Sequence, residues 1–286
     1  MGDRPVTPRS ELLVDVASLT VELAGDHPPV LVDVRWSLAG PPGIEAYRAG
    51  HLPGARFADL DTDLAGRRGA GGRHPLPEAA DFEGAMRRLG VSGDSAVVVY
   101  DAADGVPAAR AWWDIRYFGH HDVRILDGGY AAWIAAGLPV TTDEPVVVPG
   151  DFVARSGGVP VLDADSAARL ANDGVLIDVR VPERFRGEVE PVDPIAGHIP
   201  GAVNLPTTGN DGPDGRFLDG ATLARRFESL GADDAEPVGA YCGSGVNAAH
   251  TVFAMTLAGL PTPALYVGSW SNWIVDGTRP IATGAD

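Results

Sequence analysis

The sequence predicts an α/β protein made of two similar tandem domains, each a mainly parallel sheet flanked by helices. Three observations carry that expectation. The chain has 286 residues, and at roughly 150 residues per domain that is about two cores. An apolar share of 45% with 21% charged residues suits ordinary packed interiors. Third, one order of short motifs runs through the chain twice, and fixed-order self-similarity marks a duplicated architecture.

The repeat is legible element by element. Val30-Leu31-Val32-Asp33-Val34-Arg35 is answered by Val175-Leu176-Ile177-Asp178-Val179-Arg180, each a β-rich run ending in Asp-Val-Arg. Gly50-His51-Leu52-Pro53-Gly54-Ala55 is answered by Gly197-His198-Ile199-Pro200-Gly201-Ala202. Apolar runs follow at Ala96 to Tyr100 and Pro237 to Tyr241, then helix-compatible segments at Pro107 to Phe118 and Asn247 to Leu257. Further strand-like runs, Val123 to Leu126 and Ala264 to Val267, lead into tryptophan-bearing segments closing at Trp133 and Trp273. Strands alternating with helical stretches imply parallel βαβ units covered by helices on both faces.

Between the halves, Thr141 to Pro160 is rich in Pro, Val and Gly and has little helical period, so it reads as an extended linker. The expected organisation is an inactive domain over 1–142, a linker over 143–160 and a catalytic domain over 161–286. Asp33 and Asp178 sit at strand ends, where tying down loops by hydrogen bonds suits them better than catalysis.

Composition limits the partners. Lys and Arg total 22 against 39 Asp and Glu, a formal charge of −17. Such a chain does not attract phosphate backbones or anionic lipids, so neither nucleic acid nor membrane is an expected partner. Any anionic substrate must be drawn in by a local cation. Met1 to Ser10 lacks the apolar core of a secretory signal, and the expectation is a cytoplasmic protein. None of the seven histidines is spaced for a metal site, and neither metal nor organic cofactor is expected.

The two halves differ at one telling position. Aligning the runs that end at Tyr100 and Tyr241 sets Asp101 opposite Cys242, the only cysteine. Ligands of parallel α/β sheets bind beyond the carboxyl ends of the strands, which is where Cys242 falls. The loop Cys242-Gly243-Ser244-Gly245-Val246-Asn247-Ala248 lets backbone N–H groups turn around one point at the start of a helix, a cradle for a thiolate or a persulfide anion. Cysteine phosphatases add an arginine six residues after the cysteine, whereas this chain has Ala248 there. The loop therefore suits a transferred group smaller than phosphoryl.

These residues resemble the two-domain rhodanese family, the thiosulfate and 3-mercaptopyruvate sulfurtransferases. The resemblance rests on Asp33-Val34-Arg35-Trp36, the two Gly-His-X-Pro-Gly turns, Phe118-Gly119-His120-His121, Leu126-Asp127-Gly128-Gly129, Arg184-Phe185-Arg186-Gly187 and the Cys242 loop, all in order. It implies a second domain that carries the cysteine and a first that is inactive. It implies that Arg184 binds the substrate anion, and that Ser244, His74 and Asp61 form a hydrogen-bonded set managing protons at the substrate thiol. Gly243 and Ser244 are similar to the mercaptopyruvate branch, since thiosulfate enzymes of animal type have an Arg-Lys pair there. The second arginine that the mercaptopyruvate branch carries in a Glu-Pro stretch is replaced here by Val192, after Glu190-Pro191.

The expected reaction moves sulfane sulfur from 3-mercaptopyruvate, through a Cys242 persulfide held by amides from Gly243 to Ala248, to a small thiol, cyanide or a thioredoxin-like dithiol. Two alternatives stay open: thiosulfate as donor with the same mechanism, and a non-catalytic binding module.

Overall fold

The structure is a computed structural model describing residues 7–232, 237–260 and 263–285; residues 1–6 of the stretch read for a leader lie outside them. By contacts the chain divides into two units. The first holds the residues up to Leu64, Glu78–Gly158 and Asp211–Phe217. The second holds Ala65–Pro77, Val159–Asn210 and the residues from Leu218 on. Each unit thus includes a short piece drawn from the other half of the sequence.

The first unit is built on a five-stranded sheet of β1 (Leu13–Val14), β2 (Val30–Asp33), β3 (Arg56–Phe57), β4 (Val97–Tyr100) and β5 (Val123–Leu126), in the order β1-β5-β4-β2-β3. The second repeats it with β6 (Val161–Leu162), β7 (Val175–Asp178), β8 (Val203–Asn204), β9 (Val238–Tyr241) and β10 (Ala264–Tyr266), in the order β6-β10-β9-β7-β8. Every pairing in both sheets is parallel. The central strands β4 and β9 are buried along their whole length, which is why their sequences are apolar runs with no polar alternation.

Register matches between the units. Asp33 pairs with Tyr100 in one sheet and Asp178 with Tyr241 in the other. The repeated Asp-Val-Arg and Gly-His motifs are explained by one shared device. In the first unit, Arg35 donates to the buried Asp33 carboxylate and, through Nη2, to Gly50 O at 2.7 Å. In the second, Arg180 donates to Asp178 and to Gly197 O at 2.7 Å. Each guanidinium ties the end of a central strand to the following turn. The tyrosine that ends the next strand completes the tie, because Tyr100 Oη accepts from Leu52 N–H and Tyr241 Oη from Ile199 N–H. Burial pushes both phenols well above the ordinary tyrosine range, so they stay neutral.

The stretch read as an extended linker contains no helix or named strand. As far as Gly158 it is a strap of the first unit: Gly150, Phe152, Arg155 and Gly158 N–H donate to Arg87, Val91, Phe118 and Tyr117 carbonyls, and Phe152 is buried. Its lack of periodicity reflects irregular pairing with the body of the unit.

Candidate active site

β9 ends at Tyr241, and the chain turns at once into the helix Val246–Leu257. The turn is made by Gly245, the residue before the helix, at φ 84°, a left-handed conformation that glycine adopts without strain. This geometry folds two amides back onto Cys242: Sγ accepts from Gly245 N–H at 3.1 Å and from Ser244 N–H at 3.4 Å. Val246 and Ala248 lie buried in the first helical turn, and Asn247 is exposed. Among the six residues expected to supply amides, Ser244 and Gly245 reach the sulfur itself.

The backbone of the cysteine is pinned from the next crossover. Cys242 N–H donates to Ser269 Oγ at 3.1 Å, and that hydroxyl donates to Tyr266 O at 2.7 Å. Trp270 N–H donates to Cys242 O at 3.0 Å and Ser271 N–H to Gly243 O at 2.9 Å. Ser269 holds φ 52°, the one positive φ at a non-glycine residue among the described residues. That conformation costs a residue with a Cβ about 1 kcal/mol or more. In the first unit Gly129 stands at the matching place with φ 54°.

The segment Ala65–Pro77 comes from the first half of the sequence, yet it packs in the unit that carries Cys242. Arg73 N–H donates to Ser271 Oγ at 3.0 Å, and Asn272 Nδ2 donates to Ala70 O at 2.7 Å. Gly72, at φ 107°, passes so close to Gly268 that a Cβ would lie 2.8 Å from its carbonyl oxygen. The docked segment delivers His74, whose Nδ1 lies 2.8 Å from Ser244 Oγ, with both side chains buried. Asp61 belongs to the first unit, where its carboxylate accepts from Trp36 Nε1 at 3.0 Å.

Arg184 sits in the short helix Pro182–Phe185 and donates through Nε and Nη2 to Glu190 at 3.0 and 2.6 Å. Its Nη2 also donates to Asp193 Oδ2 at 3.2 Å. A second guanidinium, which no motif in the sequence marks, joins it. Arg73 donates through Nη1 to Asp193 Oδ1. A Cβ on Gly243 would lie 2.5 Å from Arg73 Nη2 and 3.6 Å from Arg184 Nη2, so both guanidinium ends converge over the residue next to Cys242. The Arg73 side chain is only 9% exposed. Its Nε is buried without a hydrogen-bond partner, and among the described residues Nη2 has none either. Nη2, next to Cys242 and without a carboxylate of its own, is placed to meet an anion there.

The first unit shows what the same loop does without a thiol. Asp101 follows β4 as Cys242 follows β9, and Gly105 at φ 70° opens the helix Val106–Tyr117. The Asp101 carboxylate accepts from Ala103, Gly105 and Ala108 N–H, each at 3.1 Å. That cradle is occupied by its own side chain.

Among the described residues no group of three His, Cys, Asp or Glu side chains could hold a metal ion, and no helix is long and apolar enough to cross a membrane.

Comparison with known proteins agrees with this geometry. The rhodanese-like domain profile matches residues 17–136 and again 163–276. A Pseudomonas aeruginosa protein named "Probable 3-mercaptopyruvate sulfurtransferase" is 49% identical over 266 residues, 90% of this chain and 94% of the relative. A Mycobacterium tuberculosis protein named "Putative thiosulfate sulfurtransferase SseB" is 43% identical over 287 residues, covering 96% and 98%. The crystal structure of Escherichia coli SseA, described as a 3-mercaptopyruvate sulfotransferase, superposes with a TM-score of 0.81 at 31% identity, covering 91% of this chain and 98% of SseA.

Proposed function

Since the chain belongs to the rhodanese family, with two copies of its domain, and is a sulfurtransferase, we propose that it takes sulfur from 3-mercaptopyruvate onto Cys242 and passes it to a thiol or cyanide acceptor. In this reading the unit with Cys242 is catalytic and the unit with Asp101 is inactive.

The observation that carries the choice of donor is the unpaired Arg73 Nη2 beside Arg184 over Gly243. The sequence lacks the family's second arginine, having Val192 in that stretch, and Arg73 supplies a second guanidinium from a different segment. The Arg184 fork is held by Glu190, so it is Arg73 Nη2 that suits the donor's carboxylate, while the loop itself stays neutral at Gly243 and Ser244.

The reaction then follows. The Cys242 thiolate attacks the donor sulfur, the donor's C–S bond breaks, and the electron pair leaves on the methylene carbon as pyruvate enolate. Ser244 and His74 receive the proton of the donor's thiol group and return it to that carbon, giving pyruvate and a Cys242 persulfide anion. Asp61 is assigned to fix the His74 tautomer on the strength of the family resemblance. The Ser244 and Gly245 amides that meet Sγ hold the negative charge. An acceptor thiolate attacks the outer sulfur and regenerates the Cys242 thiolate; cyanide leaves as thiocyanate.

Measured specificity constants for the two donors test the choice. The expected result favours 3-mercaptopyruvate over thiosulfate, with Arg73→Met raising KM for 3-mercaptopyruvate on the order of tenfold through loss of a charge-assisted pair. A preference for thiosulfate would overturn it. The SseB relative's name gives that donor its support.

A further inference from the structure

The two arginines over Gly243 are held differently, and the difference points to a role for a buried carboxylate. Arg184 has two carboxylate partners: Glu190 takes Nε and Nη2, and Asp193 takes a further bond from Nη2. Arg73 has Asp193 as its carboxylate partner, reached through Nη1. Asp193 therefore bridges two like-charged groups through different oxygens, Oδ1 to Arg73 and Oδ2 to Arg184. Its side chain is 3% exposed, so neither contact is a loose surface pair.

We propose that Asp193 is the positioning residue of the donor clamp, fixing Arg73 through Nη1 so that Nη2 stays over Gly243 to meet the donor carboxylate. This rests on the donor reading given above. Glu190 in turn holds Asp193, because Glu190 Oε1 accepts from Val192 and Asp193 N–H, both at 3.0 Å. The Glu190-Pro191-Val192-Asp193 turn thus sets the aspartate rigidly between the two cations. Burial, with Glu190 adding to it, raises the Asp193 carboxyl above the ordinary aspartate range despite both arginines. A carboxylate kept in so costly a place is one whose removal leaves a specific partner adrift. Without it, Arg184 still has Glu190, whereas Arg73 loses the group that aims it and is free to swing off Gly243.

The test is a double-mutant cycle on the full chain with 3-mercaptopyruvate, using Arg73→Met, Asp193→Asn, Asp193→Ser and the Arg73→Met, Asp193→Asn pair. Either Asp193 variant should raise KM on the order of tenfold, in the range of a lost charge-assisted bond, with kcat changed by less than about threefold. The pair should be no worse than Arg73→Met alone. The thermal midpoint and the rate of Cys242 alkylation by neutral iodoacetamide should stay close to wild type, which a merely structural aspartate would not allow. The two Asp193 replacements keep the test alive if one of them does not fold. The inference is overturned if KM is unchanged in a folded Asp193 variant, or if the pair shows the product of the single effects. An unchanged KM in Arg73→Met would instead sink the donor reading itself.

Discussion

Cys242 and Asp101 end matching strands and meet the same kind of glycine-opened loop. Sγ collects two amides and the Asp101 carboxylate three. The same kind of loop thus meets a sulfur in one copy and an oxygen in the other. The neighbour with the clearest chemical duty is Ser244, 2.8 Å from His74. Ser244→Ala should lower kcat for 3-mercaptopyruvate by about a hundredfold, the usual worth of a positioned proton relay. Iodoacetamide should still alkylate Cys242, because the Ser244 and Gly245 amides remain. Rapid-quench kinetics of pyruvate release would check this, and an undiminished kcat would remove Ser244 from the mechanism. At this scale Cys242, Ser244 and Arg184 stand in short motifs, whereas His74 was named only through the family resemblance. Arg73 and Asp193 could not be named from sequence. Arg73 meets Asp193 120 positions away, and nothing in local spacing encodes such a meeting. The one hint was Val192, a gap in an expected pair that a guanidinium from elsewhere could fill.

At the scale of elements, the strands β4, β5, β9 and β10 and the helices after β4 and β9 were readable to within a residue, whereas the runs to Arg35 and Arg180 overshoot β2 and β7 by two residues and the short strands β1, β3, β6 and β8 were not read. The expected helices Pro107 to Phe118 and Asn247 to Leu257 are observed as Val106–Tyr117 and Val246–Leu257. Fully buried strands leave unbroken apolar runs, and glycine marks where each helix opens. The strap Asp143–Gly158 was harder, since irregular backbone pairing leaves no period to read. One element carries its own pH dependence. In the helix Val106–Tyr117, Arg110 donates to Asp114 at 2.8 Å with both side chains fully buried. Burial pushes the Asp114 carboxyl up to about 6, against the pull of Arg110. The folded state then binds the proton more tightly than the unfolded chain does. Its stabilising contribution is complete below about pH 4 and is lost as pH rises through about 6. The tighter proton binding is worth at most about 3 kcal/mol. Asp114→Asn should therefore gain stability relative to wild type between pH 4 and 6, then level off. Urea unfolding midpoints across that range measure it, and a constant difference would show that Asp114 does not titrate there.

For the whole molecule, the proposed reading leaves one catalytic copy of the duplicated plan, and the copies differ around the loop that holds Cys242. At the end of the central strand they differ by Asp101 against Cys242, and at the crossover by Gly129 against the strained Ser269. A prediction follows for the silent copy. In a Cys242→Ser background, Asp101→Cys should create a thiol that iodoacetamide alkylates at neutral pH, because the three amides that served the carboxylate are retained. A thiol as slow as a buried structural cysteine would show that this loop is no longer an anion cradle. The charge of −17 bears on the whole molecule too, since it repels anions and leaves their capture to local guanidinium groups.

The most direct test of sulfur transfer through Cys242 is intact-protein mass spectrometry after exposure to 3-mercaptopyruvate without acceptor, beside Cys242→Ser. The expected result is a gain of one sulfur atom in the wild-type protein, reversed by cyanide, and no gain in the variant. An unchanged wild-type mass, or the same gain in both proteins, would contradict it.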